Sequence, residues 1–119
     1  GSCNACELEL HALGGPAYDI SRLGMGFVAS PRHADALLLT GPVTRNLEEA
    51  VRLTVEAAPA PACVIACGDC ACGQGPFSGS YAVVDSPDSV VEIAVRIPGC
   101  PPTPGAILDA LTEARQRLS

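Results

Sequence analysis

The sequence predicts an α/β fold with a mainly parallel sheet, and two observations carry that expectation. The stretches A-L-L-L-T (36 to 40) and C-V-I-A-C (63 to 67) are short, nearly continuous apolar runs that each end at a glycine. Such runs are the pattern of strands covered on both faces. Between them, T-R-N-L-E-E-A-V-R-L-T-V-E-A-A places Leu47, Ala50, Val51, Thr54, Val55 and Ala58 at helical spacing, so strand, helix and strand follow one another as a crossover unit.

The remaining elements extend this unit in both directions. Thr44 is positioned to cap the crossover helix, and Glu48 and Glu49 suit the positive end of its dipole. A third strand reads V-V-E-I-A-V-R-I (90 to 97), and a shorter one, G-F-V-A (26 to 29), is expected ahead of the first apolar run. After P-G-C-P-P a last helix opens with Thr103 as N-cap and Pro104 in its first turn, with Ile107, Leu111, Ala114 and Leu118 facing inward. Residues 7 to 13 read as a further helix, with Leu8 and Leu10 to Leu13 partly buried. No internal repeat, low-complexity tract or linker interrupts the chain, and 119 residues is a one-domain length, so 1 to 119 is read as a single domain.

Composition removes several classes of function. The formal charge of −6 comes without a basic stripe, and two Phe, two Tyr and no Trp supply no stacking platform, which excludes a nucleic-acid binder. Apolar residues reach 48% of the chain, but no run approaches the roughly 20 residues that cross a bilayer, so the chain is read as soluble or peripheral to a membrane. No charged n-region leads into an apolar h-region. Glycines 68 to 75 lack the Lys-Ser/Thr ending of a phosphate-binding loop, and no acid-base pair or activated nucleophile stands out.

The cysteines carry the chemistry. Seven is an odd number, so complete internal disulfide pairing is impossible, and free thiols in a reducing compartment are the expectation. They fall in three places: Cys3 and Cys6, then Cys63, Cys67, Cys70 and Cys72, then Cys100. In an open parallel sheet the loops leaving the carboxyl ends of the strands share one edge, where such folds place their ligands. Cys70, Cys72 and Cys100 follow strands directly. Cys3 and Cys6 join them if a strand runs just ahead of Gly1, which implies an N-terminal extension or an architecture that has lost its first strand. Glycines in G-D-C-A-C-G-Q-G-P let backbone N–H groups approach sulfur, and hydrogen bonds to sulfur tune the potential of an iron–sulfur centre. Structural zinc also takes four thiolates, so a zinc-stabilised scaffold is the alternative from another class.

The signatures G-S-C-N-A-C-E-L-E, S-P-R-H-A-D, T-G-P-V-T, G-D-C-A and I-P-G-C-P-P-T-P occur in this order over nearly the whole chain. Together they resemble the small iron–sulfur subunit shared by membrane-associated NiFe hydrogenases and respiratory complex I. The resemblance implies a flavodoxin-like three-layer fold, one 4Fe-4S cluster, and Cys3, Cys6, Cys70 and Cys100 as its ligands. Cys72 and Cys67 are the competing candidates beside Cys70, whereas Cys63 and Cys67 also read as small buried hydrophobes. C-N-A-C, in place of adjacent cysteines, is similar to the energy-converting and formate-hydrogenlyase type of hydrogenase. The expected function is therefore electron relay beside a NiFe large subunit, with further iron–sulfur subunits and membrane subunits as partners. The alternative within the family is the complex I subunit that carries the terminal cluster beside the quinone site. The implied location is cytoplasmic, on the inner face of the cell membrane through those partners. The S-P-R motif places Arg32 and His33 at a subunit interface by the same resemblance. Glu7 and Glu9 suit the opening of a helix, and Glu9 is also a candidate proton relay, whereas His11 reads as an ordinary surface or packed histidine.

Overall fold

A computed structural model describes residues 3–15, 25–28, 30–59, 63–75, 77–84 and 87–118. Three parallel strands, β1 (Ala36–Thr40), β2 (Cys63–Cys67) and β3 (Val95–Ile97), form a sheet in the order β1-β2-β3. Three α-helices accompany it: α1 (Ala5–Ala12), α2 (Glu48–Ala57) between β1 and β2, and α3 (Pro104–Leu118) after β3. The architecture is α/β and flavodoxin-like. The apolar runs form β1 and β2 because each residue finds a partner, with Ala36 opposite Cys63 and Thr40 opposite Cys67.

The register assigns the side chains to two faces. Cys63, Ile65 and Cys67 share one face with Ala36 and Leu38 of β1 and with Val95 and Ile97 of β3. Helix α3 covers that face with Ile107, Ala110 and Ala114, and α1 closes it with Leu10, Leu13 and Cys6. Leu13, Ile65, Cys67 and Ile107 are fully buried at the centre. The i, i+3, i+7 spacing from Ile107 is what turns one apolar stripe of α3 towards the sheet. The helix starts where expected, because Thr103 Oγ1 accepts the Ala106 N–H at 3.2 Å.

Several sequence expectations change in the structure. The strand expected over 90 to 97 shortens to Val95–Ile97, since pairing begins only where the Ala94 N–H meets the Val64 carbonyl at 2.9 Å. Upstream of that point the chain turns through a 3-10 segment at Pro87–Ser89, which Arg96 ties back by an ion pair to Asp88. No strand forms over Gly26 to Val28, whose Phe27 and Val28 side chains are exposed, and Ala29 lies outside the described residues. Helix α1 starts two residues earlier than expected and leaves Leu8 69% exposed. The crossover helix begins with a 3-10 turn at Arg45–Leu47, and Thr44 makes no side-chain cap there. Leu47, Ala50 and Thr54 are exposed, so among the described residues only Val51, Val55 and Ala58 of the expected stripe are half-buried. Packing of α2 is against this turn and the one at Pro31–His33.

Truncating the centre of the covered face should be costly. Ile65→Ala should lower the unfolding free energy by about 2–5 kcal/mol in reducing denaturant titrations. Leu53→Ala, on the 52%-exposed outer side of α2, should stay within about 0.5 kcal/mol. Equal losses in the two variants would contradict this placement of the core.

Candidate metal centre

All three strands point their carboxyl ends at one edge of the sheet, and the residues that follow them build a cleft there. Gly41 and Pro42 come from the turn after β1, Asp69 and Cys70 from the turn after β2, and Gly99, Cys100 and Pro101 from the turn after β3. Cys3 and Cys6, at the opening of α1, line the same cleft. The segment 77–84 closes its flank. Val84 donates to the Val43 carbonyl and Arg45 to the Ala82 carbonyl, each at 2.9 Å, which brings Phe77 into the wall.

Local chain chemistry explains how each thiol arrives. Asn4 adopts a left-handed φ of 73°, a conformation that asparagine tolerates better than most residues, and its carbonyl accepts the Leu8 N–H. Cys3 therefore stays ahead of the helix while Cys6 sits in its first turn. A Cβ on Gly68 would lie 2.7 Å from the Cys6 sulfur, so only glycine leaves that sulfur its place. At Gly99, φ is 134° and a Cβ would meet the Pro102 Cα at 2.6 Å, so glycine also delivers Cys100. Cys3 and Cys100 lie exposed at the rim, with Cys6 and Cys70 half-buried below them.

The other cysteines go elsewhere. Cys72 directs its sulfur at the Ala66 and Ile97 carbonyls, at 3.8 and 4.0 Å. Cys67 lies on the inner face of β2, fully buried in the apolar core, and Cys63 packs half-buried against the same core. None of the three lines the cleft. Glu9 is half-buried on α1 and also does not line it. Arg32 and His33 are exposed on the turn at Pro31–His33, where their backbone N–H groups bond to Ser30. His11 is exposed.

Two carboxylates gain a place that sequence patterning did not give them. Glu7 was legible only as a helix-dipole partner, yet it accepts a 2.6 Å hydrogen bond from Thr40, at the end of β1. Asp69 stands between Gly68 and Cys70, and only its adjacency to a cysteine could have marked it. Its backbone N–H donates to the Gly99 carbonyl at 2.8 Å, while its side chain accepts the Gly99 N–H at 2.8 Å.

The electrostatics show what such a cleft requires. Burial pushes the Cys6 thiol up, and the negative potentials of Glu7, Cys3 and Cys70 add to the shift while a hydrogen bond with Cys67 opposes it. Cys70 is also pushed up by burial, and then by Cys100, Cys3 and Asp69. Ionisation of Cys6 and Cys70 is thus disfavoured, and a cationic centre beside them would favour their thiolate forms. Among the described residues, no group of three or more His, Cys, Asp and Glu side chains is gathered closely enough to hold a metal ion. Four thiolates, one per iron, are the donor set of an iron–sulfur cluster.

Cys67 tests these electrostatics below the cleft. Burial, followed by the nearby Cys6, pushes its thiol up to about 12 from an ordinary 9.0. The fold thus holds the neutral form: that stabilisation is complete below pH 9 and is lost as pH climbs towards 12. In reduced, metal-free chain, Cys67 should resist iodoacetamide near pH 9 while the same thiol reacts in denaturant. Equal alkylation rates in the two states would contradict its burial.

Comparison with known proteins agrees with this architecture. The family described as NADH ubiquinone oxidoreductase, 20 Kd subunit, matches residues 3–114. The chain is 44% identical over 119 residues to the probable membrane-bound hydrogenase subunit mbhJ of Pyrococcus furiosus, a match that covers all of this chain and 71% of that protein. It also superposes, with a TM-score of 0.86 and 32% identity, on a chain from the structure of the membrane-bound sulfane sulfur reductase, an archaeal respiratory membrane complex. That match covers 98% of this chain but only 66% of the other. No helix among the described residues is long and apolar enough to cross a membrane. With its parallel sheet and nearly the whole of its length matched, the chain belongs to the NADH ubiquinone oxidoreductase 20 kDa subunit family.

Proposed function

We propose that this chain is an electron-transfer subunit of a membrane-associated NiFe hydrogenase, holding one 4Fe-4S cluster through Cys3, Cys6, Cys70 and Cys100. The observation that carries the reading is that these four thiols, from three separate parts of the chain, line one cleft while Cys63, Cys67 and Cys72 do not. When bound, such a cluster accepts and releases single electrons. The chain's own residues orient the thiols, with Gly68 and Gly99 giving the loops their close approach. Two ligands at the rim leave the mouth of the cleft open, which suits delivery of electrons to a partner subunit. Arg32 and His33, exposed on their turn, contact the large subunit in this reading, and Glu9 remains the candidate proton carrier on α1.

The 44% identity to a hydrogenase subunit supports the hydrogenase branch, as does C-N-A-C. A second reading has its own support. The sulfane sulfur reductase neighbour places the same fold in a complex named for a different substrate, so relay to a nickel-free large subunit is the alternative. Complex I is a further case of that alternative, as the family description indicates.

Anaerobically purified complex should contain about four iron and four sulfide attributable to this chain. Serine at Cys3, Cys6, Cys70 or Cys100 should abolish or severely alter the cluster's spectrum, and serine at Cys63 should leave it unchanged. One zinc without sulfide would contradict the cluster, and loss at Cys72 with retention at Cys70 would move the third ligand. For the branch, the native complex should contain nickel, and hydrogen should reduce the cluster without added quinol. A nickel-free complex inert to hydrogen would leave electron relay standing and contradict the hydrogenase assignment.

A further inference from the structure

The turns that bear Cys70 and Cys100 are joined by more than the sheet. The Gly68 N–H donates to the Ile97 carbonyl at 2.7 Å, which extends the pairing with β3 one residue past the end of β2. Asp69 then exchanges two hydrogen bonds with Gly99. Its N–H meets the Gly99 carbonyl at 2.8 Å, and its Oδ1 accepts the Gly99 N–H at 2.8 Å. A side-chain carboxylate thus replaces the backbone acceptor that a longer strand would have supplied. The Asp69 carbonyl is also engaged, accepting the Gln74 N–H at 2.8 Å and the Cys72 N–H at 3.1 Å, which winds the turn around Cys70.

We infer that Asp69 is a positioning residue whose carboxylate clasps the Cys100 turn to the Cys70 turn and thereby sets the separation of those two thiols. The inference rests on the cluster assignment above and extends it to a residue that is not a ligand. Three constraints make Asp69 the point of control. Gly99 has a φ of 134° and lies so near Pro102 that a Cβ would not fit, so the turn has one backbone course from which its N–H meets Asp69. Both Asp69 and Gly99 line the cleft beside the thiols that they position. The bond from Gly99 is to a carboxylate and is only part-buried, a class of hydrogen bond stronger than its neutral counterpart. Aspartate therefore does two separable things: it accepts the Gly99 N–H, and it places a negative charge near the thiolates. Asparagine keeps the acceptor and removes the charge, whereas alanine removes both.

The test uses the anaerobically purified complex carrying Asp69→Asn or Asp69→Ala. Asp69→Asn should retain wild-type iron and sulfide and an unchanged spectral line shape. Its reduced-to-oxidised ratio at fixed poise should rise by up to about tenfold, which is 59 mV for one electron. Asp69→Ala should lose cluster to a chelator at least tenfold faster and show an altered line shape. Wild-type stability in Asp69→Ala would overturn the inference, as would cluster loss in Asp69→Asn equal to that in Asp69→Ala. If Asp69→Ala does not accumulate, Asp69→Asn decides alone: a retained cluster with wild-type line shape and wild-type resistance to the chelator upholds the clasp, and loss of cluster overturns it. A wild-type complex without iron and sulfide would overturn the parent reading instead, and this inference with it.

Discussion

Burial at one edge of a sheet, reinforced by neighbouring negative groups, disfavours the ionisation of Cys6 and Cys70, and the candidate site depends on that constraint. Cys6 and Cys70 are pushed up by burial and by the potentials of their neighbours, so without a positive centre the thiolate form is disfavoured. The fold does not remove this penalty. It holds the four thiols around the cleft through backbone geometry that does not depend on their charge: a left-handed Asn4, glycines at 68 and 99, and a hydrogen-bonded exchange between Asp69 and Gly99. Binding a cationic core would release the protons and favour ligation, so affinity and pH are linked.

The sheet explains why those thiols come from distant parts of the chain. Parallel strands return their carboxyl ends to one edge, so turns after β1, β2 and β3 meet although their residues lie far apart in sequence. The apolar core lies directly below, with Cys67 and Ile97 in one register row and Leu13 and Ile107 packed against that face. Burial under the cleft and exposure at its rim are then separate properties. Buried Cys67 belongs to the first, exposed Cys3 and Cys100 to the second. A cluster held at such a rim is open to a partner subunit.

Much of this was legible in the sequence, but unevenly. The bounds of β1 and β2 follow from apolar runs that stop at glycine, and α3 follows from Thr103, Pro104 and the spacing of Ile107 and Ala114. Where pairing decides, local pattern fails: Val90 to Ile93 have strand-like composition, but the ladder reaches only to Ala94. The stripe on α2 is correctly helical, yet Leu47, Ala50 and Thr54 remain exposed, because periodicity states which residues share a face and not what covers it. At the cleft, spacing alone could not separate Cys70 from Cys72. In the turn Cys70 lines the cleft, while the Cys72 N–H bonds to Gly68 and Asp69 and its sulfur swings towards Ala66 and Ile97. Asp69 was silent for the same reason: its role is a contact with a residue 30 positions away.

The most direct measurement is an experimental structure of the anaerobic native complex, with metal positions located by anomalous scattering or high-resolution electron microscopy. Convergence of the loops on a cluster predicts a four-iron centre in the cleft, bonded to the sulfurs of Cys3, Cys6, Cys70 and Cys100, with Cys67 and Cys72 unligated beneath it. A single metal ion there, or a cluster bonded to Cys67 or Cys72 in place of Cys70, would contradict it.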